Sequence, residues 1–114
     1  MSQPRQLESP LYRLIRGENV AGFNAQKPQD GEIDLCSGDF RGLDLRTLDA
    51  TRVRFTDAYF RGADLRGLDL RETCMQGASL AHAQISGTYF PEELSADEIL
   101  MSVNFGTRLR YRTK

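Results

Sequence analysis

Aspartates recur at fixed spacing, at Asp34, Asp39, Asp44, Asp49, Asp64 and Asp69, and arginines follow them at Arg41, Arg46, Arg61, Arg66 and Arg71. A row of carboxylates could hold a cation, and a row of guanidiniums could clamp an acidic surface. Each aspartate holds the same place in a five-residue unit, where its side chain can accept local backbone hydrogen bonds near a turn. The carboxylate row therefore reads as part of the scaffold. The arginines carry more functional interest, because all five follow an apolar residue and point outward. Arg41 is expected directly below Arg61, and Arg46 below Arg66, with the aspartate rows interleaved to offset their repulsion. Tyr59 and His82 face outward on the side that carries Arg41 and Arg61. An exposed tyrosine beside arginine is a frequent composition at protein interfaces. Arg41, Tyr59, Arg61 and His82 are thus the candidate partner-binding face, with Arg46, Arg66, Arg108, Arg110 and Arg112 as secondary candidates.

Other chemistry finds little support. His82 is the single histidine, and a base needs a positioned partner. There is no glycine-rich phosphate loop, no nucleophile elbow and no Cys/His spacing for zinc. Cys36 and Cys74 are too few for a disulfide scaffold and too far apart to pair. No enzyme, cofactor or metal site is expected.

The elements that must position the outward residues follow from a five-residue beat over 33–92. Every fifth residue is apolar: Leu35, Phe40, Leu45, Ala50, Phe55, Phe60, Leu65, Leu70, Met75, Leu80, Ile85 and Phe90. A second apolar or small residue sits two before each, from Ile33 and Gly38 to Ala83 and Thr88. Neither a strand of period 2 nor a helix of period 3.6 has this pattern. A fixed period signals stacked units that cannot bury their apolar faces alone.

The units GDFRG, LDLRT, ADLRG, LDLRE, ASLAH and AQISG resemble the consensus of the pentapeptide-repeat family, and LDATR, VRFTD and TCMQG depart from it. The resemblance implies an all-β repeat solenoid, a right-handed quadrilateral β-helix with four pentapeptides per coil. Twelve units would make about three coils, spaced like β-strands at about 4.8 Å. The central residue and the one two before it would point inward, stacking Phe40, Phe60 and Leu80 in one column. Glycines 42, 62, 67, 77 and 87 would stand at corners.

Open coil ends would bare apolar centres and unpaired backbone. Residues 1–32 and 93–114 read as short helical caps. Ser9 and Pro10 open a helix bearing Leu11, Leu14 and Ile15, and Gly17 ends it. Val20 and Phe23 mark a second helical segment over 18–25. At the other end Ser95 and Glu98 have capping-box spacing, and Gly106 is a stop. Ile99, Leu100 and Val103 are expected to lie over Ile85 and Phe90, sealing that end. Leu109 and Tyr111 then alternate with Arg108, Arg110 and Arg112.

The 114 residues carry 15 basic and 16 acidic side chains, a balance that favours neither nucleic acid nor membrane as partner. The polar start MSQPRQLESP and the lack of an apolar run near 18 residues point to a cytoplasmic protein. The expected function is a rigid protein–protein interaction module, monomeric or weakly dimeric. The family also includes mimics of duplex DNA that act on DNA gyrase, a role that calls for a long, acidic rod. The repeat here has seven arginines against nine carboxylates, which argues against that role. A third reading is anion or nucleic-acid binding by Arg108, Arg110, Arg112 and Lys114.

Overall fold

The computed structural model describes residues 4–112. Five elements occur in chain order: α1 (Pro10–Arg16), α2 (Val20–Gln26), β1 (Ile33–Asp34), β2 (Val53–Arg54) and α3 (Ala96–Phe105). Between α2 and α3 the chain winds as a β-helical solenoid whose sides are too short for long strands. Ile33 pairs with Val53 and Asp34 with Arg54, in parallel and twenty residues apart. The same offset recurs at Asp39 and Tyr59, Asp44 and Asp64, Tyr59 and Ser79, Asp64 and Gln84, and Asp69 and Tyr89. Each turn therefore consists of four five-residue steps.

The hydrogen bonds explain why extended structure stays so sparse against the all-β expectation. In the steps from Leu35 to Leu70, other than that of Ala50, the central N–H donates one turn onward, as Phe40 does to the Tyr59 carbonyl at 2.8 Å, and Tyr59 donates back to Gly38 at 3.0 Å. The chain then bends at a left-handed residue. Gly42, Gly62, Gly67, Gly77 and Gly87 adopt positive φ, and so do Ser37, Thr47, Arg52, Asp57 and His82 in the equivalent place. A bend every fifth residue leaves one or two extended residues per side. The three helices at the ends supply the remaining regular structure.

Inward and outward positions follow the five-beat. From Leu35 to Leu80 the central residues are all buried, and Ile85 and Phe90 are half-buried. Phe40 stacks on Phe60 with ring centroids 5.3 Å apart, and Phe55 meets both edge-on. Favourable aromatic geometry thus runs along and between columns.

The N-terminal segment packs on the first turn with polar groups as well as apolar ones. Ser9 Oγ accepts the Tyr12 N–H and starts α1, and Asn19 starts α2 in the same way. Ile15 and Phe23 are fully buried, and Tyr12 sets its ring edge-on against Phe40 at 5.5 Å. Leu11 and Leu14 are only half-buried. The inward positions of α1 are thus Tyr12 and Ile15, because Tyr12 also donates its hydroxyl to the Asp39 carbonyl at 3.0 Å. Further along the first turn, the Asp44 N–H donates to Glu18 at 2.8 Å and the Asp49 N–H to Asn24 at 2.8 Å. Asn24 and Lys27 donate to the carbonyls of Thr47 at 2.9 Å and Asp49 at 3.0 Å.

At the other end α3 is capped by Ser95 and stopped by left-handed Gly106. Its buried face differs from the expected one. Leu100 is 52% exposed, whereas Ser102 is wholly buried. The reason is backbone pairing: Ser102 Oγ accepts the Leu80 N–H at 2.8 Å, and the Val103 carbonyl accepts the His82 N–H at 2.8 Å. Leaving those donors unpaired in a buried place costs more than exposing one leucine. Ile99 and Val103 pack against the core, and Leu109 behind α3 is fully buried. Tyr111 accepts the Met75 N–H on its hydroxyl at 2.7 Å, and burial pushes that phenol up to about 12.

Two substitutions test this packing. Phe60→Ala removes a side chain held from both neighbouring turns and should cost about 3–5 kcal/mol in urea unfolding. An unchanged midpoint would show that Phe60 does not face inward. Ser102→Ala leaves the Leu80 N–H without an acceptor and should cost about 1–3 kcal/mol, although alanine is the better helix former.

Candidate interaction face

A repeated fork sets the electrostatics of the outer surface. The Arg41 N–H and Nε both donate to Asp39 Oδ1, at 3.1 and 2.8 Å, and Nη2 donates to Oδ2 at 2.9 Å. Asp44 holds Arg46, Asp64 holds Arg66 and Asp69 holds Arg71 through the same three bonds. An aspartate just before an inward residue and an arginine just after it emerge on one side, so the pair chelates locally and two-pronged. The arginine side chain, followed by the backbone N–H, lowers Asp44 and Asp69 to about 2. These exposed forks add little stability but cancel each other's charge. Arg46 also reaches Asp64 one turn onward at 3.3 Å, so its ladder is neutral.

The step at 58–62 breaks this rule. Tyr59 stands where the fork needs aspartate, so Arg61 has no ion pair among the described residues. Tyr59 is engaged from the C-terminal segment instead. The Arg108 guanidinium lies over its ring at 5.2 Å, and Nη2 donates to the hydroxyl at 2.6 Å. Arg108 also donates to the Gly77 carbonyl at 2.9 Å and approaches Asp57 at 3.8 Å.

Of the residues singled out from the sequence, the fold gathers Arg41, Tyr59, Arg61 and Arg108 on one side. Arg61 accepts the Gly42 N–H on its carbonyl, which sets it one turn above Arg41. The next side residue, Ala81, accepts from Gly62, and His82 follows it as an exposed left-handed corner. Arg46 and Arg66 belong to the neutral neighbouring ladder. Arg110 pairs with Glu98 at 2.8 Å, and Arg112 donates to the Glu92 carbonyl. Lys114 lies outside the described residues.

Arg108 meeting Tyr59 joins two candidates 49 residues apart, and no local pattern could have linked them. Asp39 was also missed as a special member of its row. Its side chain is only 6% exposed, and its Oδ2 accepts from Gln6 at 2.9 Å as well as from Arg41. The signal was the apolar segment before the repeat, whose Tyr12 had to lie somewhere. Burial pushes the Cys36 thiol up, away from a reactive thiolate, and the Cys74 sulfur accepts from the Thr56 hydroxyl at 3.2 Å. The described residues hold no group of three or more His, Cys, Asp or Glu that could bind a metal.

Asp39 makes acid sensitivity predictable. The Arg41 side chain, against some opposing desolvation, holds its carboxyl below the usual range. A carboxyl lowered on folding stabilises the protein above the unfolded value, about 3.9, and that gain is lost as pH falls through the folded value. Asp39→Asn should cost about 1–2 kcal/mol at pH 7, since Arg41 is half exposed and is not stranded in the interior. The gap between variant and parent, read from urea midpoints, should narrow steadily below about pH 4.

The family described as pentapeptide repeats matches the chain in eight copies, over residues 32–67 and 54–90. No curated protein and no solved structure matches it. The matched region is the one in which residues twenty apart pair and five-residue steps set the inward positions. This chain belongs to the pentapeptide-repeat family.

Proposed function

We propose that the chain is a non-enzymatic protein-interaction module. It is a rigid, right-handed, four-sided solenoid of about three coils over 33–92, with caps over 1–32 and 93–114, the second of which covers only part of the last turn. Its working face carries Arg41, Tyr59, Arg61 and His82, joined by Arg108, and takes an acidic surface on another protein. The observation that carries this reading is the missing carboxylate at position 59. Four arginines of the series spend their charge on their own aspartates, whereas Arg61 keeps its charge for a partner beside a tyrosine clamped by Arg108. Guanidinium and tyrosine together are favoured at interface centres, and positive potential hastens encounter with an acidic surface. A cytoplasmic setting suits two free thiols, and no helix among the described residues is long and apolar enough to cross a membrane.

Arg61→Glu should reduce capture of a specific partner at least tenfold, while Arg46→Glu, on the neutral ladder, should leave capture within about twofold. Arg41→Glu is a poor choice because it also disturbs buried Asp39. The readout is quantitative mass spectrometry of proteins retained from source-cell lysate by each immobilised variant, with circular dichroism to confirm the fold. Equal retention by parent and Arg61→Glu would move the working face elsewhere.

A further inference from the structure

The two ends of the solenoid are closed to different degrees. On the last turn the steps at 73–77 and 78–82 are satisfied by the C-terminal segment. The N–H groups of Met75, Gly77, Leu80 and His82 find the Tyr111 hydroxyl, the Leu109 carbonyl, the Ser102 hydroxyl and the Val103 carbonyl. Leu109 returns its own N–H to Ala78 at 2.8 Å.

The steps that follow are left open. One turn below, Leu65 and Gly67 donate to the carbonyls of Gln84 and Ser86, at 2.9 and 3.0 Å, and Ala63 accepts from Gln84 at 2.9 Å. The equivalent groups one turn up are the N–H groups of Ile85 and Gly87 and the carbonyl of Ala83. No described residue engages them. The N–H of Phe90 and the carbonyl of Thr88 are open in the same way, whereas Leu70 and Leu68 below them both pair with Tyr89. Ile85 and Phe90 are half-buried, and Tyr89 beside them is 57% exposed.

We propose that this open rim over 83–90 is a docking site for an extended, basic segment of a partner protein, which adds to the last turn as one further parallel side. The backbone supplies the register, since the incoming segment repeats the bonds that 63–67 makes to 84–86. An apolar residue of that segment covers Ile85. Its basic residues meet the carboxylates of Glu92 and Glu93, which directly follow the rim, are exposed and have no ion pair among the described residues, Arg112 engaging only their backbone carbonyls. The same acidic collar argues against a second copy of this chain, because two rims brought together would juxtapose like charges. The site is separate from the Arg61 face and does not rest on it.

Three N-acetylated, C-amidated pentapeptides test the proposal against the full chain by nuclear magnetic resonance. They are Lys-Val-Thr-Ile-Lys, its N-methylated form lacking alternate backbone donors, and Glu-Val-Thr-Ile-Glu. The basic peptide should shift the Ile85 and Gly87 amides and slow their exchange at least tenfold. The N-methylated and acidic peptides should bind at least tenfold more weakly. The double variant Glu92→Lys, Glu93→Lys, which keeps the backbone, should lose the preference for the basic peptide. Slow exchange of both amides in the free monomer would overturn the proposal, since the rim would then already be covered. So would equal binding of the N-methylated peptide, shifts confined to other residues, or protection that appears only as the protein dimerises with concentration.

Discussion

The main-chain polar groups of a stacked turn can be satisfied only by another turn, and this requirement governs everything at the ends of the molecule. Inside the solenoid the N–H and carbonyl groups along each side mostly find partners about twenty residues away, and those at the corners pair locally. The first and last turns have no such neighbour on one side. At one end the backbone of Arg5 pairs with Ser37 and Asp39, and the side chains of Glu18, Asn24, Lys27 and Tyr12 meet the backbone of Asp44, Asp49, Thr47 and Asp39. At the other end it uses a helix hydroxyl, a helix carbonyl and one antiparallel stretch. Burial of apolar groups follows from these pairings: α3 turns Ser102 inward and leaves Leu100 and Phe105 to solvent.

The same geometry that stacks the turns organises charge on their outer surface. Residues just before and just after an inward position emerge on one side, so aspartate and arginine there grip each other without help from another turn. The result is a surface dense in charge with little net field over most sides. A single difference of residue type, tyrosine in place of aspartate at position 59, removes one carboxylate and leaves Arg61 without an ion pair among the described residues. Four steps present the same neutral fork, and the step at 58–62 departs from them in residue type alone.

Much of the solenoid was legible before any coordinates. The five-beat named the inward residues, and Phe40, Phe55 and Phe60 are buried together as it required. Corner glycines were legible too, although Ser37, Thr47, Arg52, Asp57 and His82 accept the same left-handed geometry without being glycine. Helix starts at Ser9 and Ser95 and the stop at Gly106 rest on local hydrogen bonds, which is why neighbouring residues reveal them.

What the amino-acid order determined on its own is therefore everything that depends on residues within about one unit: which side chains face in, where the chain bends, which aspartate holds which arginine, and where helices begin. What only the tertiary structure decided depends on residues far apart in the chain. The face α3 buries, the burial of Asp39 under Tyr12 and Gln6, the Arg108 clamp on Tyr59 and the open rim at 83–90 all belong to this group. Each is set by which backbone groups lack a neighbouring turn and which distant segment reaches them. Periodicity is a local property and is written in the spacing of residues. The ends of a stack are a property of the whole, and a repeat carries no information about where its own pairing runs out.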